Sequence, residues 1–177
     1  DRADYAASIY WYQQALEREP EQRDAVLVNL VSAYRTAGQY DRARQLVGQH
    51  LGRAAGRAEW LYQLGLVERA AGDRGAAVAA FVAAAQEDSS HYRACAQAGE
   101  VLYEQGRYRE AVAHFFAATR VNKSYSRAWY GLGKTHRMLG DRSAALEALH
   151  QFLHYWPQRE ERALEVGRWI AELERAE

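Results

Sequence analysis

The chain has 177 residues, of which 49% are hydrophobic and 26% charged, values that are typical of a folded domain and argue against disorder. Its formal net charge is +0, so it lacks the basic excess that is usual in proteins that bind nucleic acid. A single cysteine, Cys95, excludes an intrachain disulfide and a zinc site made of several cysteines, and it leaves the cellular compartment open. No apolar run approaches the roughly 20 residues that a membrane-spanning helix needs.

Long helices are predicted along the whole chain, because its only two prolines are Pro20 and Pro157. In chain order, one helix is expected within residues 1–23 and a last one within 160–177. Between them, four blocks of 34 residues are predicted to hold two helices each, and these blocks span 24–57, 58–91, 92–125 and 126–159.

The blocks are defined by four columns of residues that recur every 34 positions. The columns are Gly38, Gly72, Gly106 and Gly140; Val31, Gly65, Gly99 and Gly133; Ala43, Ala77, Ala111 and Ala145; and Val47, Phe81, Phe115 and Leu149. The first column predicts the turn after each first helix, because a residue just past a helix end often needs positive φ. A mid-helix glycine costs about 1 kcal/mol relative to alanine, so the second column predicts close packing, with the alanine column opposite.

One copy of the pattern is nearly complete, and it consists of Trp129, Leu132, Gly133, Ala145, Leu149 and Pro157. This pattern resembles the tetratricopeptide repeat (TPR), although His136 stands where that family has tyrosine. The resemblance implies an all-α fold, an open right-handed α-solenoid of antiparallel helix-turn-helix units. It also implies one array over 1–177, excised from a larger protein, in which 1–23 is the second helix of a preceding repeat. Residues 160–177 are then a capping helix or the first helix of a further repeat. A plain helical bundle and an RNA-reading pentatricopeptide array are the alternatives, and the strict 34-residue spacing and neutral charge disfavour the second.

Sequence motifs for catalysis are missing, so no enzyme activity, cofactor or metal is predicted. His150 and His154 have the i, i+4 spacing of metal ligands, but no third ligand follows nearby. Cys95 and His136 occupy core columns and are interpreted as packed residues.

The family resemblance places the first helix of each hairpin on a concave, partner-binding face. The candidate groove residues are Arg35, Tyr62, Arg69, Tyr103, Arg127, Tyr130, Lys134 and Arg137. Tyrosine and arginine are enriched at binding hot spots, and this mixture predicts a protein or peptide partner with an acidic-hydrophobic segment. Some TPR domains clamp a C-terminal carboxylate, but only Arg127 is of a suitable type among the corresponding residues here, so that mode is disfavoured.

The predicted function is a non-catalytic scaffold that binds another protein, with no nucleic acid and no membrane insertion. Arginine outnumbers lysine and alanine is abundant, which suggests a bacterial source. Bacterial arrays of this family often serve secretion, envelope assembly or exopolysaccharide export. A regulatory module attached to an enzyme domain elsewhere in the parent chain, and self-association through the array ends, remain as alternatives.

Overall fold

The computed structural model describes residues 2–18, 23–52, 56–156 and 161–175, and these ranges contain helices and short turns but no strand. The helices are α1 (Arg2–Arg18), α2 (Arg23–Thr36), α3 (Tyr40–Leu51), α4 (Arg57–Ala71), α5 (Arg74–Glu87), α6 (Tyr92–Glu104), α7 (Tyr108–Val121), α8 (Ser126–Leu139), α9 (Arg142–Tyr155) and α10 (Glu161–Arg175). The predicted all-α class of paired helices is confirmed.

Two compact units divide the chain, unit 1 at Asp1–Asp88 and unit 2 at Ser89–Glu177. The division follows the hairpin α4–α5 and falls three residues before the predicted boundary between the second and third blocks. The single array over 1–177 stays a prediction.

In unit 1, α2–α3 and α4–α5 form two hairpins, and α1 packs against α2. Their core is aliphatic at the first hairpin, where Leu30 and Val31 are buried. At the start of α4 the core is closed by aromatic stacking, since the rings of His50 and Trp60 lie 4.7 Å apart. In unit 2, α6–α7 and α8–α9 form the hairpins, and α10 packs against α9 through Val166 and Ile170.

The turn inside each hairpin follows the first glycine column. Gly38, Gly72, Gly106 and Gly140 have φ of 73°, 91°, 75° and 75°. Only glycine adopts this left-handed conformation without strain, so the predicted ends of the first helices are confirmed. Asp73 and Asp141 then cap α5 and α9, accepting hydrogen bonds from the backbone N–H of Ala76 (2.9 Å) and Ala144 (3.2 Å), as predicted. Pro20 and Pro157 lie outside the described residues.

The mid-helix glycines pack against the second helix of their hairpin, as predicted. The prediction that the alanine column lies opposite them is wrong, because larger side chains face the glycines. A Cβ on Gly65 would lie 2.5 Å from the Phe81 ring, and one on Gly99 would lie 3.0 Å from the Phe115 ring. Gly133 is pressed in the same way by Leu149. Because each glycine lacks a side chain, it leaves room for the large residue of the fourth column. The alanines of the third column are also fully buried.

Candidate partner-binding surface

In unit 1, the candidate residues Arg35 and Arg69 are half-buried on α2 and α4. Tyr62, which was expected to face solvent, is only 9% exposed, so that expectation is wrong. Its position also faces the second helix of the hairpin, where the Tyr62 and Phe81 ring centroids lie 5.7 Å apart. Tyr62 is therefore mainly a packing residue.

A cleft of about 370 Å³ opens beside the first helices of unit 1, and the sequence analysis missed it. It is lined by Asp24, Ala25, Val28, Asn29, Gly56, Glu59 and Trp60. Gln63, one turn further along α4, donates a hydrogen bond to Glu59 (2.7 Å). The cleft therefore combines an apolar lining with two carboxylates and is a poor site for an anion.

In unit 2, the first helices bring three candidate residues together around one ammonium group. Lys134 Nζ lies 4.2 Å from the ring centroid of Tyr103 and 5.6 Å from that of Tyr130. It also forms an ion pair with Glu100, at 3.0 Å from Nζ to Oε2, and the two side chains are only 15% and 11% exposed. Lys134 therefore covers the carboxylate of Glu100 and shields it from solvent.

Tyr130 is held between α8 and α10. Its hydroxyl donates a hydrogen bond to Glu165 Oε2 (3.3 Å), and its ring stacks on Trp169 with centroids 5.7 Å apart. The Arg162 guanidinium carbon lies 5.2 Å from the centroid of the same ring. Burial, assisted by the negative charge of Glu165, raises the pKa of Tyr130, so its hydroxyl stays protonated and available as a donor.

Arg137 lies about two helical turns after Tyr130 on α8 and also contacts α10. Its guanidinium carbon lies 4.2 Å from the Trp169 ring centroid, and its Nη2 lies 3.4 Å from Glu172 Oε2. Arg127, at the start of α8, is exposed. We call Tyr103, Arg127, Tyr130, Lys134, Arg137 and Trp169 the aromatic–cation surface of unit 2.

Trp169 of this surface and the adjoining Glu165 and Glu172 were not among the predicted groove residues, because they contact residues that are not their equivalents one period earlier. The contacts Tyr130–Glu165 and Arg137–Glu172 join residues 35 apart, whereas Glu100 and Lys134 are 34 apart. Acidic residues 35 positions after the tyrosine and the arginine were the signal that could have revealed these contacts.

The described residues do not assemble a metal site. They contain no group of three or more histidine, cysteine, aspartate or glutamate residues placed to hold a metal ion. His150 and His154 are exposed, and Cys95 is buried, as expected from its core column, with burial raising the pKa of its thiol. Among the described helices, none combines the length and the apolar character that a membrane crossing needs.

Comparison with known proteins identifies the repeat. Residues 97–160 match the family model described as tetratricopeptide repeat, and no curated protein sequence matches the chain. Among solved structures, PilW, a widely conserved type IV pilus biogenesis factor, is 19% identical, with a TM-score of 0.76 over 97% of this chain and 79% of its own. MamA is 20% identical, with a TM-score of 0.70 over 88% of this chain and 90% of its own. YrrB, a TPR protein with an unusual peptide-binding site, is 22% identical, with a TM-score of 0.67 over 94% of this chain and 84% of its own.

These similarities agree with the expectation taken from the four repeat columns. TPR units are non-catalytic modules that bind other proteins or peptides, in line with the prediction that the chain is not an enzyme. Residues 97–160 are therefore similar in sequence to tetratricopeptide repeats, and the described part of the chain has the all-α fold of TPR proteins.

Proposed function

We propose that the aromatic–cation surface of unit 2 binds a segment of a partner protein that carries hydrophobic side chains next to acidic ones. The observation that carries this proposal is the position of Lys134 against the rings of Tyr103 and Tyr130. One ammonium thereby holds two tyrosines of successive first helices in fixed places, so that little side-chain entropy is lost when a partner binds.

The hydrophobic side chains of the partner would contact the aromatic rings of the surface. Tyr103 and Tyr130 are half-buried, as is Trp169, so each ring is anchored and still offers some area to a partner. Tyrosine and tryptophan combine large contact area with few rotatable bonds, which favours them as binding anchors.

The acidic part is assigned to the cations around the rings. Lys134 and Arg137 are already paired with Glu100 and Glu172, so they add local attraction but are not vacant. Arg127 is exposed, and its guanidinium offers a bidentate contact to an incoming carboxylate. The cleft of unit 1, with Asp24 and Glu59, would repel the same carboxylate, which favours unit 2 for this ligand. Arg35 and Arg69 of unit 1 remain candidates for further contacts.

The wider setting that we propose is a larger bacterial protein of secretion, envelope assembly or exopolysaccharide export. The arginine-rich and alanine-rich composition supports a bacterial source. The fold similarity to PilW, a type IV pilus biogenesis factor, is consistent with such a setting.

To test this, the 177-residue chain is used to select binding peptides from a library of random sequence. The affinities of the enriched peptides are then measured by calorimetry. We expect enrichment of aspartate or glutamate beside leucine, isoleucine or phenylalanine. Arg127→Glu should weaken these peptides about tenfold, the loss expected when one charged contact of about 1.4 kcal/mol is removed. The matched control is Arg109→Glu, an equally charged change at an exposed residue of α7, which should leave the affinity unchanged. Selection of basic peptides, or equal losses in the two variants, would contradict the proposal.

A further inference from the structure

The cleft of unit 1 lies between two successive first helices. Helix α2 contributes Asp24, Ala25, Val28 and Asn29, while Glu59 and Trp60 of α4 and the preceding Gly56 complete the lining. Trp60 is 4% exposed and Val28 is half-buried, whereas Asp24 is exposed. The more buried part of this cleft of about 370 Å³ is therefore apolar, and a carboxylate lies at its exposed part.

Trp60 gives the cleft a fixed apolar wall. Its ring stacks on His50 with centroids 4.7 Å apart, which holds the indole in one place. A Cβ on Gly56 would lie 3.9 Å from the indole Nε1, so the glycine backbone lies beside the ring and adds no side chain over it. A ligand that enters here meets a side chain that is already ordered, so little side-chain entropy is lost on binding.

The charged groups that line the cleft are carboxylates from both helices. Glu59 is half-buried and accepts a hydrogen bond from Gln63 (2.7 Å), and a carboxylate has acceptor capacity for several such bonds. Asp24 lies in the first turn of α2. The described lining residues include no lysine, arginine or histidine, and Arg57 of α4 lies 4.0 Å from Glu87 of α5, measured from Nε to Oε2. A cationic group is therefore the electrostatic complement of this cleft.

The equivalent positions of the repeat differ in charge between the two units. The second position of the four predicted blocks holds Ala25, Glu59, Arg93 and Arg127. The two residues in unit 2, Arg93 and Arg127, are exposed arginines, so the same repeat position carries a carboxylate in unit 1 and guanidinium groups in unit 2. A ligand that is selected by charge at this position is therefore basic in unit 1.

We propose that the cleft of unit 1 binds a basic segment of a partner protein by enclosing one of its arginine side chains. The aliphatic stem would pack on Val28 and Trp60, and the guanidinium would reach the carboxylates of Asp24 and Glu59. Arginine suits the cleft better than lysine, because its planar fork presents five N–H donors and can serve two carboxylates. The occupant is a protein segment because TPR units bind proteins and peptides. This surface is separate from the aromatic–cation surface, and the inference does not depend on the function proposed there.

The probe that tests this is the peptide alanine–leucine–arginine–leucine–alanine, acetylated and amidated so that the arginine carries its only charge. In the matched peptide citrulline replaces arginine, which keeps the shape of the side chain and removes its charge. Each peptide is titrated into the isotope-labelled 177-residue chain, and the assigned NMR signal of the Trp60 indole N–H reports binding in the cleft. We expect the arginine peptide to bind about fivefold more tightly, the factor that corresponds to an exposed ion pair of about 1 kcal/mol. High salt should reduce this difference.

A double variant assigns the preference to the two carboxylates. Asp24→Asn combined with Glu59→Gln removes both charges and keeps the side-chain sizes, so the arginine peptide should bind only as tightly as the citrulline peptide. Thermal melts should match the wild type, because neither residue belongs to the hydrophobic core. The control Asp41→Asn removes an exposed carboxylate of α3 outside the cleft and should keep the fivefold preference.

Three results would overturn the proposal. The first is an equal affinity of the wild-type chain for the two peptides. The second is a preference for arginine that persists unchanged in the double variant of Asp24 and Glu59. The third is a Trp60 indole signal that stays fixed throughout the titration with the arginine peptide.

Discussion

Glu100 and Lys134 hold the same position in successive first helices of unit 2, and their Oε2 and Nζ atoms lie 3.0 Å apart. Their side chains are 11% and 15% exposed, so each charge depends on the other after losing most of its water. The pair links α6 to α8 and places the ammonium against Tyr103 at the same time. It is therefore structural as well as part of the proposed binding surface.

Removing one member of this pair should be more harmful than removing both. Lys134→Met leaves a largely buried carboxylate without its partner, and we expect a loss of about 3 kcal/mol in the free energy of unfolding. In the double variant Glu100→Gln, Lys134→Met the loss should be clearly smaller, because no charge remains buried. Denaturant titrations of the three proteins provide the comparison. The exposed pair Arg107–Glu110 is the control, and Arg107→Met should have no measurable effect. A double variant as unstable as Lys134→Met would show that the pair is a solvated contact.

Adjacent phenylalanines on α7 should differ strongly when each is truncated. Phe115 is 0% exposed and fills the space between Gly99 and Gly131, whereas Phe116 is 53% exposed. Phe115→Ala should cost about 3–5 kcal/mol, as is usual for a fully buried phenylalanine. Phe116→Ala should stay within about 0.5 kcal/mol of the wild type, as is usual at the surface. Equal shifts in the denaturant midpoint would mean that the assigned helical register of α7 is wrong.

How much the sequence could predict depended on whether a feature repeats. The turns at Gly72 and Gly140 and the caps Asp73 and Asp141 follow from local backbone chemistry, and the structure confirms them. The burial of Tyr62 could not be predicted from its repeat position, because side chains at that position can face either the groove or the interior of the hairpin. A 34-residue rule also could not locate Glu165 and Glu172, since each contacts a residue 35 positions earlier in the chain. The aromatic–cation surface depends on contacts between helices that only the three-dimensional packing specifies.

The stability of unit 2 should fall on acidification in part because of His114. Burial lowers the pKa of this imidazole from its ordinary 6.5, with Glu110 opposing the shift. The unfolded chain then binds the proton more readily than the folded one, so stability is lost as pH falls through 6.5 toward the folded pKa. His114→Gln lacks this group, and its denaturant midpoint should fall less than that of the wild type between about pH 7.5 and pH 5. Identical pH slopes in the two proteins would show that His114 stays equally accessible to protons in both states.

The glycine-to-large-residue pairs can be tested with a combination that the chain already contains. At the equivalent of Gly133 and Leu149, the first hairpin has Val31 and Val47, and both are 0% exposed. Gly133→Val alone should overlap the Leu149 side chain and cost about 1–3 kcal/mol through overpacking. Leu149→Val alone should leave a gap and cost about 1 kcal/mol. Together they move the side-chain volume from α9 to α8 and recreate the valine pair, so the double variant should be more stable than the sum of the two losses implies. Because the residues are in contact, a coupling of at least about 0.5 kcal/mol is expected from denaturant titrations of the four proteins.

The matched control is Gly133→Val with Leu146→Val, which shortens a half-buried leucine elsewhere on α9 and should restore none of the lost stability. Additive losses at Gly133 and Leu149 would show that the two positions do not share one packing space.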